Sequence, residues 1–235
     1  MIDAICAFGD SIVKGIVFDG IRGRYAYLKN SFANLFCNNT GIKVENYAKF
    51  GCTISAGKKI IEKHENELAG YKYTVLEFGG NDCDFDWKAV SEHPEDEHVP
   101  NTPIDEFEEL YSNAIDSVTA SGSKPIVFSL PPLNAEKYFS WISKNLNAEN
   151  ILHWLGDIEH IYRWHEMYNL AVVRLASVKN VPLVDIRKAF LESRRYLGLL
   201  CEDGIHPNEA GHALILDTIK SYISKMSAPG AAYAM

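Results

Sequence analysis

The chain has 235 residues, 47% of them hydrophobic, enough to bury one substantial core without calling for a second domain. Its formal net charge of -8 argues against nucleic acid and against an anionic membrane surface as partners, and no uninterrupted apolar stretch approaches membrane-spanning length. Five cysteines (Cys6, Cys37, Cys52, Cys83 and Cys201) form no Cys-x-x-Cys pair, so neither a disulfide framework nor a zinc site is suggested. Met1-Ile2-Asp3 runs straight into an apolar run without a basic and then apolar leader, and the expected setting is cytoplasmic.

In chain order, apolar runs predict strands near residues 4–8, 44–48, 73–78, 125–129 and 181–185. The first, Ala4-Ile5-Cys6-Ala7-Phe8, is short, continuous and ended by Gly9-Asp10, as suits a parallel strand covered on both faces. Helical patterns fill the intervals. Tyr25, Leu28, Phe32, Leu35 and Phe36 form one stripe, and Ile60, Ile61, His64 and Leu68 a looser one. Over 102–120 the pattern is clearest. Thr102 is placed to cap, Pro103 to start the helix, and Ile104, Phe107, Tyr111, Ala114 and Val118 repeat at three and four residues before Gly122. Near the end, Pro207 opens a helix with the stripe Ala210, Ala213, Leu214, Ile215, Ile219 and Ile223. Strand–helix alternation with short links predicts an α/β fold, a three-layer α/β/α sandwich on a five-stranded parallel sheet. Residues 1–226 are expected to form a single domain, with an aromatic-rich insertion at about 133–165 and a flexible tail over 227–235.

Four fragments at apparent strand exits carry chemistry. Gly9-Asp10-Ser11 puts a hydroxyl where open α/β sheets bind ligands. Asp203-Gly204-Ile205-His206 sets an acid and an imidazole three positions apart, close enough for the carboxylate to hold the imidazole tautomer while the imidazole takes a serine proton. Gly51 and the amide of Asn81, in Gly79-Gly80-Asn81-Asp82, join the Ser11 N–H as three donors for an oxyanion. Each fragment alone also reads as ordinary turn chemistry; the four together, all at strand exits, do not.

In this order the fragments resemble the four blocks of the SGNH subgroup of the GDSL hydrolases: Gly-Asp-Ser, a lone Gly, Gly-x-Asn-Asp and Asp-x-x-His. The blocks span Gly9 to His206, nearly the whole chain, with Ile12 in place of the usual Leu. The resemblance implies Ser11 as nucleophile, His206 as base, Asp203 as its orienting acid, and Ser11, Gly51 and Asn81 as the oxyanion hole. It also implies the flavodoxin-like strand order 2-1-3-4-5 of an SGNH hydrolase fold. The expected activity is ester hydrolysis through an acyl-enzyme on a small-molecule ester, favouring short acyl groups and an O-acetylated carbohydrate, with no metal or organic cofactor required. A lysophospholipase or thioesterase type of acylhydrolase is the alternative within that chemistry, and a non-catalytic flavodoxin-like binding module the alternative outside it. Oligomeric state is not readable.

Other features of the chain bear on this reading. Asp84 and Trp87, just after the Asn81 block, are candidates for the pocket wall, as are Tyr138 and Trp141 at the start of the aromatic insertion, which precede any clear periodicity and suit a lid or cleft wall. Trp154, Ile158, Ile161, Tyr162 and His165, later in that insertion, recur at helical spacing and suit a core-packed helix. Cys52, Cys83 and Cys201 lie beside the blocks, where a thiol nucleophile or a metal cluster is one reading, but reduced, mostly structural cysteines fit better. Two histidines among carboxylates in residues 91–98 suggest a metal, but Pro94 breaks the helix that would align them, and a solvated acidic loop fits better. Residues 51–59 imitate a phosphate-binding loop, but five residues separate the glycines and Lys59 stands where a Ser or Thr is needed. No Gly-x-Ser-x-Gly appears, which disfavours a conventional α/β-hydrolase.

Overall fold

The computed structural model describes residues 2–227. Strand β1 (Ala4–Gly9) leads into a single-turn helix α1 (Ser11–Lys14), then a hairpin of β2 (Ile16–Asp19) and β3 (Arg24–Tyr27). Next come α2 (Phe32–Thr40), β4 (Lys43–Asn46), α3 (Ile54–Lys63), α4 (Glu65–Leu68), β5 (Tyr73–Glu77), α5 (Trp87–Glu92) and α6 (Ile104–Ala120). The second half holds β6 (Lys124–Phe128), α7 (Ala135–Ile142), α8 (Ala148–Leu155), α9 (Glu159–Val178), β7 (Leu183–Val184), α10 (Ile186–Glu192) and α11 (Glu209–Ser227). Five strands form one parallel sheet in the order β4-β1-β5-β6-β7, which is 2-1-3-4-5 when its own strands are counted. All five expected strands are present, within a few residues of their expected bounds.

Each face of the sheet buries its own apolar layer. On one side Phe8, Leu76 and Phe78 pack with Ile54 and Ile61 of α3, Phe107 and Tyr111 of α6 and Tyr168 and Val172 of α9. On the other, Ala7, Val75 and Phe128 pack with Phe32 and Phe36 of α2, Phe190 of α10 and Ile215 of α11. The alternation of Ala7 and Phe8 between opposite layers follows from the two-residue period of a strand buried on both faces. Helix α3 lies close to the sheet at Gly57, where an added Cβ would stand 2.4 Å from the Phe78 ring. A third cluster, Phe85, Val90, Leu133, Tyr138, Ile151, Leu155 and Ile161, sits outside these layers and joins α5 to α7, α8 and α9.

Several local expectations are corrected. Tyr25 does not share a helix with Phe32: it lies in β3, and α2 starts only at Phe32, capped by the Ser31 hydroxyl, which accepts from Asn34 N. The spacing imitated a helical stripe across a hairpin and a turn. Thr102 does not cap α6; its hydroxyl donates to Asp82 Oδ1 at 2.7 Å, and Pro103 is the residue preceding the helix. Pro207 does not open α11 either, but forms a bridge to Leu200, and Asn208 Oδ1 accepts from Gly211 N at the true start. Tyr138 and Trp141 belong to a helix, α7, capped by Asn134, whose side chain accepts from Lys137 N. The later spacing from Trp154 to His165 spans two helices divided at Gly156. Helix α11 continues through Ser227, and the rest of the expected tail, residues 228–235, lies outside the described residues.

His212 of α11 is fully buried under Phe32, whose backbone N–H donates to its Nδ1 at 3.4 Å. Burial, with His206 nearby adding to it, pushes its pKa down from 6.5 to about 4. The native state therefore holds His212 neutral where the unfolded chain protonates it. Its contribution is complete above pH 6.5 and is lost as pH falls toward about 4. In His212→Gln the slope of unfolding free energy against pH over that window should flatten by about 1.4 kcal/mol per pH unit relative to wild type. Urea titrations at a series of pH values measure it, and unchanged slopes would contradict a neutral buried imidazole.

Candidate active site

The carboxyl ends of β1, β4 and β5 and the loop before α11 converge on one cavity of about 480 Å³. β1 ends at Gly9. Asp10 then caps α1, its Oδ1 accepting from Ile12 N at 2.8 Å, and Ser11 becomes the first helical residue. The short helix aims the hydroxyl across the sheet end, where Ser11 Oγ meets His206 Nε2 at 2.9 Å. On the other side of the ring, His206 Nδ1 stands 2.6 Å from Asp203 Oδ2. Asp203 is fully buried, and its Oδ1 accepts from the backbone N–H groups of Ile205 and His206, both at 3.2 Å. A carboxylate fixed in this way binds a proton on Nδ1, leaving Nε2 as an acceptor for the serine hydroxyl. The three groups, separated by up to 195 positions in sequence, form one hydrogen-bonded line.

Gly51 and Asn81 line the same cavity beside Ser11. Gly51 has φ +69°, in the left-handed region, and an added Cβ would meet nothing within 4 Å. Backbone conformation rather than space therefore favours glycine there. Asn81 Nδ2 donates to Asp10 Oδ2 at 3.0 Å and, more loosely, to the Cys52 carbonyl at 3.4 Å. Its neighbour Asp82 turns inward instead and ties the block to α3 and α6 through Ile54 N and the Thr102 hydroxyl. Burial raises Asp82 to a pKa of about 6.

Asp84, Trp87, Tyr138 and Trp141 all line the cavity. Asp84 does not, however, offer a free carboxylate to it: Asp84 Oδ1 accepts from Trp87 Nε1 at 2.6 Å and from the Tyr138 hydroxyl at 2.7 Å. Asp84 thus locks two aromatic walls in place. Burial raises its pKa, while those two donors act in the opposite direction. Asp86 caps α5, accepting from Lys88 N and Ala89 N. Phe85, Leu133, Ile142, Leu155, Ile161 and Trp164 make the remaining wall mostly apolar.

Sequence reasoning missed the rings around the imidazole. Tyr25 of β3 packs on His206 with centroids 5.0 Å apart, and Phe50 stacks parallel to it at 6.2 Å. Trp141 closes on Tyr25 and on Phe18 of the hairpin. No local signal points to these contacts, since they join β3, the Gly51 turn and α7 across the chain. His165 was also missed as part of this cavity. It is buried at the inner end, its Nδ1 accepts from the Arg187 guanidinium at 3.3 Å, and burial holds its pKa down at about 3.

The thiols do not compete with Ser11. Burial pushes Cys52 up to about 11 and Cys83 well above the ordinary thiol range, so neither is a thiolate at neutral pH. Cys201 rises to about 11 for the same reason. In the acidic loop, His98 Nε2 bonds the His93 carbonyl, and Glu95 pairs with His153. Among the described residues no group of three or more His, Cys, Asp or Glu is placed to hold a metal ion, and no helix is long and apolar enough to cross a membrane.

A parallel α/β sheet with serine, imidazole and carboxylate aligned at its strand exits has the layout of a serine-dependent hydrolase. Comparison with known proteins narrows this. The model of the GDSL-like lipase/acylhydrolase family matches residues 7–214, and the chain belongs to that family: it is a GDSL-type ester hydrolase of the SGNH kind. Solved structures share the fold at low identity. A lipase/acylhydrolase from Enterococcus faecalis is 19% identical with a TM-score of 0.69, the match covering 97% of this chain and 99% of that one. A member of the lipolytic protein G-D-S-L family from Veillonella parvula is 15% identical (TM-score 0.62; 94% and 98% covered). The acetyl xylan esterase AlAXEase is 18% identical (TM-score 0.62; 94% and 99% covered). No curated protein matches the sequence.

Asp10 holds the Asn81 amide at the wall of the cavity that Ser11 also lines, and under the oxyanion role proposed below it acts on charge that develops during reaction. Asn81→Ala should lower kcat by about 10²–10³ with little change in KM. Steady-state kinetics on a p-nitrophenyl ester separates the two; a raised KM at constant kcat would make Asn81 a ground-state contact only.

Proposed function

We propose that this esterase works through an acyl-enzyme on Ser11 and prefers short acyl groups, with an O-acetylated carbohydrate as its natural class of substrate. The observation that carries the chemistry is the line Ser11 Oγ–His206–Asp203 at 2.9 and 2.6 Å. His206 takes the Ser11 proton as Oγ attacks the ester carbonyl. The developing oxyanion is received by the backbone N–H groups of Ser11 and Gly51 and by the Asn81 amide. His206 protonates the departing alcohol, then deprotonates a water that attacks the acyl-enzyme, and returns the proton to Ser11. Asp203 remains ionised and stabilises the imidazolium at each stage.

Two observations support the substrate class. Tyr25, Phe50 and Trp141 flank the Ser11–His206 pair with aromatic faces and edges, surfaces on which a sugar ring stacks. The buried Asp10 carboxylate lies directly behind the nucleophile, which disfavours an anionic headgroup close to Ser11. An acetyl xylan esterase among the structural neighbours is consistent with an acetylated sugar. The five free cysteines agree with a reducing, cytoplasmic setting. A second reading, a lysophospholipase or thioesterase, draws on the apolar inner wall of Phe85, Leu155 and Ile161, which a longer chain would fill.

Comparing p-nitrophenyl acetate, butyrate and palmitate by kcat/KM decides between them. The expected maximum lies at acetate or butyrate, falling at least about tenfold by palmitate, on the order of the loss when apolar surface finds no pocket. A maximum at palmitate would replace the short-acyl reading with the second one.

A further inference from the structure

Glu77, the last residue of β5, has no role in the chemistry described so far. Its carboxyl is 1% exposed, lies at the wall of the catalytic cavity, and neither oxygen accepts a hydrogen bond of ordinary geometry. Sheet register pairs Glu77 with Gly9, the residue before Asp10, and the two carboxyls, each on a residue 1% exposed, lie close enough to interact. Asp10 is the better supplied of the two. Its Oδ1 accepts from Ile12 N at 2.8 Å and its Oδ2 from Asn81 Nδ2 at 3.0 Å, contacts that suit an anion. Two adjoining carboxylates so nearly withdrawn from solvent do not both ionise without a cation beside them. The other charged or titratable groups facing this pair are Asp82, Tyr111, Cys52 and Cys83 in the core, Lys49 toward Cys52 and His206 toward Asp10. Among the described residues no arginine or lysine is bonded to the Glu77 carboxyl.

We propose that Glu77 is a protonated positioning residue: its carboxylic acid O–H donates to the Asp10 carboxylate, and Asp10, held in place on that side, aims the Asn81 amide at the oxyanion. The inference rests on the oxyanion role given to Asn81 above. In this arrangement Asp10 receives three donors, one each from the first turn of α1, the Asn81 block and β5, and so connects the nucleophile's helix to the third oxyanion donor. Desolvation raises the Glu77 pKa well above the ordinary carboxylate range, with the neighbouring Asp10 charge next in importance; the Asp10 backbone N–H acts weakly in the other direction. A neutral acid in this place supplies a donor without adding negative charge next to a site where an oxyanion must form.

Glutamine reproduces the donor and leucine removes it, so the two replacements separate positioning from packing. Three readouts are taken on wild type, E77Q, E77L and Asn81→Ala: steady-state kinetics with p-nitrophenyl acetate, thermal midpoints, and the infrared difference spectrum of wild type minus E77Q at neutral pH. The expected results are an E77Q kcat within about threefold of wild type and an E77L kcat lower by about 10–100-fold at nearly constant KM. The difference spectrum should contain the carbonyl band of a protonated carboxylic acid. The proposal fails if that band is missing, if E77L keeps wild-type kcat, or if E77Q is as damaged as a folded E77L. Should E77L not fold, the band and E77Q decide. If Asn81→Ala retains full kcat, the oxyanion reading falls instead, while the band still reports whether Glu77 holds the proton.

Discussion

Replacing Ser11 by Ala is expected to lower kcat on p-nitrophenyl acetate by about 10⁴-fold or more. The substitution removes one oxygen, the atom 2.9 Å from His206 Nε2, and with it the covalent route. The structural cost is small. Ser11 Oγ is not needed to cap α1, since Asp10 does that, and the backbone N–H at position 11 remains available to an oxyanion. Thermal midpoints of the two proteins should agree within a few degrees. The residual rate would then measure what the oxyanion donors and substrate positioning achieve without a nucleophile. Activity surviving at a tenth of wild type or more would exclude Ser11 as the attacking group.

Asp203→Asn should be nearly as damaging, lowering kcat by about 10³–10⁴. Asn keeps the oxygen that receives the Ile205 and His206 backbone N–H groups, so the loop before α11 retains its shape. The loss is confined to Oδ2, 2.6 Å from His206 Nδ1. An amide NH₂ there is a donor and pairs only with an unprotonated Nδ1. The proton moves to Nε2, which then cannot accept from Ser11. Kinetics combined with the imidazole ¹⁵N shifts of His206 tests both halves. A normal rate, or a wild-type tautomer in the variant, would contradict the assigned role.

The parts of this molecule legible in the sequence are those set by local chemistry. Ala4 to Phe8 is apolar without alternation, and Tyr73 to Phe78 is so apart from Thr74 and Glu77, because both faces of their strands are covered, and Gly and Asp residues mark where each strand leaves the sheet. Three of the four blocks follow the exits of β1, β4 and β5, while Asp203 to His206 lies in the loop before α11 rather than at a strand exit; their short motifs still let the line from Ser11 to Asp203 and the neighbouring Asn81 be read residue by residue. The β2–β3 hairpin could not. Its residues are half-exposed, its strands four residues long, and Tyr25, Leu28 and Phe32 happen to repeat at three and four. Helix α7 was hidden for a different reason. Its cap, Asn134, follows two prolines and a leucine, and its rings face both the cavity and the hairpin, blurring any single stripe. Contacts that depend on tertiary packing left no trace at all. Phe50 against His206, Tyr138 on Asp84 and Glu77 beside Asp10 each join elements that only the folded sheet brings together. Glu77 in particular reads along the chain as a charged residue closing a strand, and only its complete burial shows it as a candidate neutral acid.

The central claim, an acyl-enzyme on Ser11 activated by His206, is tested most directly by mapping the adduct of a fluorophosphonate. The reagent phosphonylates a serine only where a base activates it and donors receive its oxygen. After incubation at neutral pH, digestion and mass spectrometry should find one phosphonyl group per chain, on Ser11, with activity lost in proportion, and none in His206→Ala. A modified residue other than Ser11, or inactivation that instead follows alkylation of Cys52 or Cys83, would contradict the account.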